Sequence, residues 1–176
     1  MAPTRAVLGD VAPGRLMDLV EESRRLWAAH GWEQAADGMA AVTSLMRAQQ
    51  IVLARVDEVL RPMGLTFSRY ELLMLLHFSR DGALPVTKAS TRLQVHPTSV
   101  TNAVDRLEGA GLVRRSPHPT DGRGTLVELT ELGRERALAA TVELNARVFT
   151  SPGLPRRRIG SLVSLLRDLR RSAGDF

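Results

Sequence analysis

The chain has 176 residues, 44% of them apolar but only 4% aromatic, so a compact core has to be built from aliphatic side chains, with or without an extended oligomerisation region. Lys plus Arg number 24 against 19 Asp plus Glu, a formal charge of +5; Lys88 is the single lysine, so the arginine excess reads as coding bias unless it clusters. There is no cysteine to form a disulfide, thiolate metal site, thiol switch or nucleophile, no run near ~20 apolar residues to span a membrane, and no apolar leader over Met1 to Asp10, so a cytoplasmic protein is expected.

Residues 1–12 read as a flexible lead. Pro13 suits a helix start, and Leu16, Leu19, Val20, Ser23, Leu26 and Trp27 then recur at three and four residues as far as Gly31. The longest periodic segment runs from about Glu33 to Met63, with Met39, Val42, Leu45, Met46, Gln49, Val52, Leu53, Val56, Val59 and Leu60 on one face. Such a helix spans roughly 45 Å at 1.5 Å per residue, a length that often reaches a partner. Pro62 and Gly64 close it. Ser68 and Glu71 have the S-x-x-E capping-box spacing at the head of a strongly apolar helix carrying Tyr70, Leu72, Leu73, Leu75, Leu76 and Phe78, which Asp81-Gly82 ends.

Thr87 is expected to cap a short helix reaching Leu93. A turn over Val95 to Thr98 leads into a second helix from Pro97 to Gly109 or Ala110, and this pair has the shape of a helix-turn-helix. Residues 112–116 read as a strand, 117–124 as a turn holding Asp121-Gly122, and 125–129 as the returning strand, the one convincing hairpin. Thr130 caps a further helix that Ser151-Pro152-Gly153 breaks. Pro155 opens the last one, with Ile159, Leu162, Val163, Leu165, Leu166 and Leu169 apolar. The fold class is therefore mainly α with a small β-hairpin wing (α+β).

A helix-turn-helix followed by a basic hairpin is a winged helix-turn-helix. Its second helix fits the major groove, with its N-terminal residues at the base edges. Here that end carries Thr98, Ser99, Thr101 and Asn102, with Arg106 further along near the phosphates, while Val100, Val104 and Leu107 form the buried face. Arg114 and Arg115 stand at the base of the hairpin, and His118, Asp121 and Arg123 at its tip. A thin hairpin with one forward arginine suits the electronegative minor groove, and Asp121 can hold Arg123 in shape. Thr98, Ser99 and Thr101 have a plainer reading as helix caps. Arg156-Arg157-Arg158 reads as a solvated helix start or as interface ion-pair partners before it reads as a DNA patch.

Residues 121–130, DGRGTLVELT, match the MarR-family wing pattern D-x-R-x-x-x-V-x-L-T at every specified position. Residues 95–113, VHPTSVTNAVDRLEGAGLV, resemble that family's recognition helix and its exit into the wing, and the similarity covers residues 38–172. Gly124 stands where many members carry a second arginine. The resemblance implies a homodimeric transcription regulator, in the common case a repressor of a palindromic double-stranded DNA operator. It implies a dimerisation region over 33–64 and 130–172, a DNA-binding lobe over 65–129, and an additional lead and helix over 1–32. DNA contact falls to Thr98, Ser99, Thr101, Asn102, Arg106, Arg114, Arg115, Asp121 and Arg123.

Family members commonly respond to a small aromatic or anionic effector, and the extra N-terminal helix with its tryptophan resembles the urate-responsive branch. The expected pocket set is Trp27 (with Trp32 as its rival), Gln49, Leu53, Tyr70, Glu71, Met74 and His77. Trp27 has a second reading as a buried interface aromatic, and Glu71 as the capping-box partner of Ser68. No phosphate-binding glycine loop, G-x-S-x-G, paired carboxylates or H-E-x-x-H spacing is present, so neither catalysis nor a metal or other cofactor is expected. Two other classes compete with a regulator. One is a ligand- or partner-binding dimer of the same fold without specific DNA recognition, against which the intact wing pattern speaks. The other is an architectural DNA-binding protein, which would carry many more dispersed Lys and Arg.

Overall fold

A computed structural model of the chain describes residues 17–118 and 124–176, and divides it into two compact units, Met1–Leu53 and Ala54–Phe176. In the first, α1 spans Leu19–Ala29. Its N-cap is Asp18, whose carboxylate accepts from the amides of Val20 at 3.0 Å and Glu21 at 3.4 Å. The helix thus opens where a side chain can satisfy its orphan amides; the expected opener, Pro13, lies outside the described residues. Arg24 pairs with Glu21 at 2.9 Å and with Asp37 at 3.1 Å, Asp37 being on α2, which spans Glu33–Leu60. The Trp27 and Trp32 rings meet at 5.0 Å.

The second unit holds the main core. The last turns of α2 contribute Val56, Val59 and Leu60, and α3 (Phe67–His77) contributes Leu72, Leu73 and Leu76. Val100, Val104 and Leu107 come from α5 (Pro97–Gly109), and Ala137, Ala140 and Leu144 from α6 (Glu131–Leu144). Each set follows the helical repeat, and each fully buried Leu or Val contributes about 1.5–3 kcal/mol relative to exposure. The core sets the start of α3, against the sequence expectation. Thr66 is the N-cap, accepting from the Arg69 amide at 3.4 Å, while Ser68 lies inside the first turn with its hydroxyl 3.2 Å from that of Thr66. Capping at Thr66 lets the helix begin at Phe67, two residues after buried Leu65, so the Ser68–Glu71 capping box does not form.

The wing is a three-stranded antiparallel sheet of order β1-β3-β2, not a lone hairpin. β2 (Val113–Pro117) and β3 (Thr125–Leu129) form the expected hairpin, with Arg115 opposite Val127. β1 (Ala83–Pro85) adds to the far edge of β3, with Leu84 opposite Val127. Pro85 ends β1 and stands as N-cap of α4 (Val86–Leu93), so Thr87 lies within the helix instead of capping it. Its carbonyl accepts from the hydroxyls of Ser90 at 2.8 Å and Thr91 at 3.1 Å.

The wing joins α6 through Thr130. Its hydroxyl caps α6 by accepting from the Gly133 amide at 3.0 Å, and donates to the Gly111 carbonyl at 2.8 Å. Gly133 is required there, because a Cβ on it would lie 1.9 Å from the Leu112 carbonyl oxygen. After α6 the chain makes a π-helical turn over Asn145–Phe149, and Arg55 donates to the carbonyls of Arg147 at 3.0 Å and Ser151 at 2.8 Å. The last helix, α7 (Arg156–Ser172), contains no buried residue.

Candidate nucleic-acid interface

The geometry of α5 begins at His96. Its ring Nδ1 accepts from the Thr98 amide at 3.2 Å, so His96 is the N-cap, and Pro97 occupies the first helical position, where its missing amide costs nothing. That arrangement relieves Thr98 and Ser99 of capping. With Val100, Val104 and Leu107 inward, the repeat turns Thr98, Ser99, Thr101, Asn102, Asp105 and Arg106 outward, all exposed. Thr101 donates to the Pro97 carbonyl at 3.1 Å. Among the described residues no protein partner engages the side chains of Thr98, Ser99, Asn102 or Arg106. The face is thus a row of small hydrogen-bonding groups with a cation further along the helix.

Arg115 stands differently. Its guanidinium is 2.5 Å from Asp105 and also pairs with Glu108, and its backbone amide donates to Glu108 at 3.0 Å. The hydrogen bond it donates to Asp105 is the largest cause of its raised pKa. Its charge is therefore engaged by two carboxylates of α5, and it ties β2 to that helix. Arg114 pairs through Nε with Glu128 at 2.6 Å but keeps its side chain 73% exposed, so its terminal nitrogens still face outward. Glu128 also accepts from the Ser116 hydroxyl; that bond first, and Arg114 second, hold its carboxyl below the usual carboxylate range. Asp121 and Arg123 lie outside the described residues.

Sequence reasoning missed Lys88. It lies with Thr87 at the head of α4, on a cleft of about 580 Å³ that Thr101, Arg115, His118 and Thr125 also line. The available signal was its position one residue beyond Thr87, in the first turn of a helix, where a lysine is out of keeping with the helix dipole.

The expected effector residues are divided between the two units. Trp27, Gln49 and Leu53 belong to Met1–Leu53, and Tyr70, Glu71, Met74 and His77 to Ala54–Phe176. Trp27 lines a hollow of about 510 Å³ with Gly31, Trp32 and Glu33. Gln49 and Leu53 are exposed on α2. Tyr70 and Met74 are brought together by Thr141, whose hydroxyl lies 3.0 Å from the Tyr70 hydroxyl and 3.3 Å from the Met74 sulfur. His77 Nδ1 lies 3.0 Å from an Arg134 nitrogen. Glu71 is exposed overall, yet the protein around its carboxyl desolvates it and raises its pKa.

Two helices joined by a tight turn, the second with a free polar face and a three-stranded wing beside it, define a winged helix-turn-helix DNA-binding protein. The MarR family profile matches residues 65–125. Sco5413, a MarR family transcriptional regulator from Streptomyces coelicolor, is 52% identical and superposes with a TM-score of 0.72, covering 80% of this chain and 97% of that one. Sco3205, a MarR family regulator from the same organism solved in complex with DNA, is 27% identical with a TM-score of 0.66, covering 76% and 88%. The transcriptional repressor IacR of Pseudomonas putida is 31% identical over 114 residues, 63% of this chain and 66% of its own length. The chain belongs to the MarR family: it is a DNA-binding transcriptional regulator and not an enzyme. No helix among the described residues is long and apolar enough to cross a membrane.

Proposed function

We propose that the chain acts as a homodimeric, effector-responsive repressor that binds a palindromic operator, one α5 from each protomer entering one of two major grooves a helical turn apart. The observation that carries this reading is the outward face of α5, exposed, polar and without partners among the described residues at Thr98, Ser99, Asn102 and Arg106. Thr98, Ser99, Thr101 and Asn102 read base edges. Arg106 and Arg114 contact phosphate, with Arg123 in the minor groove held by Asp121, while Arg115 keeps the wing at its angle to α5. Similarity to a named repressor supports repression over activation.

The apolar surface left over supports a second protomer. Ile51 and Val42 on α2 are each 63% exposed, and Leu162, Val163 and Leu169 on α7 are exposed too. These faces form the dimerisation region over 33–64 and 130–172. A small aromatic or anionic effector, urate-like or phenolic, acts by binding more tightly to a dimer whose α5 helices no longer match the half-site spacing. The residues assigned to it in the second unit are Tyr70, Glu71, Met74 and His77.

The test is a gel shift of the full chain on the DNA upstream of its own gene, with excess nonspecific duplex. The expected result is one discrete complex holding two chains, weakened in Asn102→Ala by about 1–3 kcal/mol, the scale of one base contact. A complex that competitor removes as readily as from a random duplex would sink specific recognition and leave a ligand- or partner-binding dimer.

A further inference from the structure

The turn of the helix-turn-helix is held by residues far along the chain. Gln94, the C-cap of α4, has φ 54° and ψ 41°, and is the one non-glycine residue with positive φ among the described residues. The left-handed region is sparsely used by residues with a Cβ and persists where surrounding contacts fix it. Gln94 has such contacts. Its side-chain nitrogen donates to the Asp175 carbonyl at 2.5 Å, and its side-chain oxygen accepts from an Arg170 nitrogen at 3.0 Å, across 81 and 76 residues of sequence.

The other half of the arrangement is built to meet it. Past Ser172 the chain turns at Gly174 (φ 72°), and the Asp175 amide donates to the Arg170 carbonyl at 3.1 Å. Arg170 binds the Asp175 carboxylate at 2.5 Å, and the guanidiniums of Arg170 and Arg171 lie 5.1 Å and 5.6 Å from the Phe176 ring. Arg170 therefore points one donor at its own tail and another at the turn. Only Val95 and His96 separate Gln94 from Pro97, so the backbone angles at Gln94 set how α5 leaves α4.

We propose that Gln94, Arg170 and Asp175 form a latch through which α7 holds the helix-turn-helix turn, making Gln94 a positioning residue for operator recognition. This rests on the reading of α7 as a dimerisation helix. With α7 seated on a second protomer, the latch carries the seating of that helix to the presentation of α5, a link between assembly and DNA reading that does not pass through the core. The plainer reading is an exposed cluster of no consequence, since isolated surface pairs contribute little.

The experiment uses the full-length dimer and two readouts. The first is amide hydrogen exchange at Val95, whose amide donates to the Ser90 carbonyl at 3.2 Å. The second is binding to the chain's own upstream DNA against a random duplex of equal length. In Arg170→Ala, Val95 exchange is expected to accelerate, and specific binding to weaken about five- to tenfold, at the lower end of allosteric couplings. Random-duplex affinity and the sedimentation-defined dimer stay unchanged. Arg171→Ala removes the same charge from the same turn and is expected to do neither. Gln94→Ala reproduces the Arg170→Ala effects, and carries the test if Arg170→Ala disturbs the dimer. The double variant binds no more weakly than the weaker single one, because either substitution already breaks the same latch. Unchanged Val95 exchange in both Arg170→Ala and Gln94→Ala, an equal effect of Arg171→Ala, or multiplying effects in the double variant would overturn the latch. If the unmodified protein forms no specific DNA complex, the operator reading fails, while the exchange readout still decides the latch.

Discussion

Helices α5 and α7 are both amphipathic and end in opposite situations. α5 turns Val100, Val104 and Leu107 into its own chain's core and leaves hydroxyls and an amide outside. α7 carries Ile159, Leu162, Val163, Leu166 and Leu169 at the same three-and-four spacing and buries none of them. A free polar face is stable in water and available to a base edge. A free apolar face costs about 25 cal/mol for each Å² left wet, and a contiguous one marks an interaction surface. The same helical code therefore gives one helix with a free polar face and one with a free apolar face, the two surfaces that the proposed function assigns to DNA and to a second chain.

The comparison breaks most severely at Gly133, which holds the α5 side of the molecule together. Gly133→Ala forces a methyl against the Leu112 carbonyl. Urea unfolding should show a loss of at least about 3 kcal/mol, the upper range of overpacking, and an unchanged midpoint would contradict the close approach. Next comes α7. Leu162→Asp places a charge on its apolar face and should weaken the dimer by about 2 kcal/mol or more, the scale of an interface hot spot, by sedimentation equilibrium. Persistence of a tight dimer would move the interface elsewhere.

Two arginines sharpen the α5 side. Among the described residues Arg106 has no partner, while Arg115 is engaged by Asp105 and Glu108. Arg106→Ala should lower the slope of log affinity against log salt by about 1, as for one lost phosphate contact. Arg115→Ala should leave that slope in place while loosening the wing, and an equal drop in both variants would return Arg115 to the phosphate backbone. The smallest effect belongs to Glu128. Its folded pKa lies below the unfolded value, so its stabilisation is present above the unfolded carboxylate pKa and is lost as pH falls through the folded one. Glu128→Gln should flatten that acid limb in thermal unfolding, by less than about 1 kcal/mol given the exposed Arg114 partner. A limb of unchanged depth would show that Ser116 and Arg114 do not hold the carboxylate.

Much of the DNA-reading unit was legible because its determinants are local. The spacing of Val100, Val104 and Leu107 fixes the inward face of α5, and Thr130 caps α6 as expected from the sequence. Other local patterns misled. Ser68 and Glu71 have the capping-box spacing, yet Thr66 caps α3, because the core accepts Phe67 as the first helical residue. β1 carried no alternation to detect; three residues ending in proline become a strand only because β3 offers a free edge.

The sequence by itself determined which helices form, which face of each is apolar and which polar groups stand at the head of α5, since these follow from a repeat of 3.6 residues and from caps a few positions away. Only the tertiary structure decided which charges are engaged by carboxylates of the chain and which are not. Arg106 and Arg115 are chemically alike in the sequence, and Gln94 reads as an ordinary polar residue in a turn. Their roles depend on the distances to Asp105, Glu108, Arg170 and Asp175, which are set when segments remote in the chain pack together, and an ion pair or a hydrogen bond is decided by those distances alone.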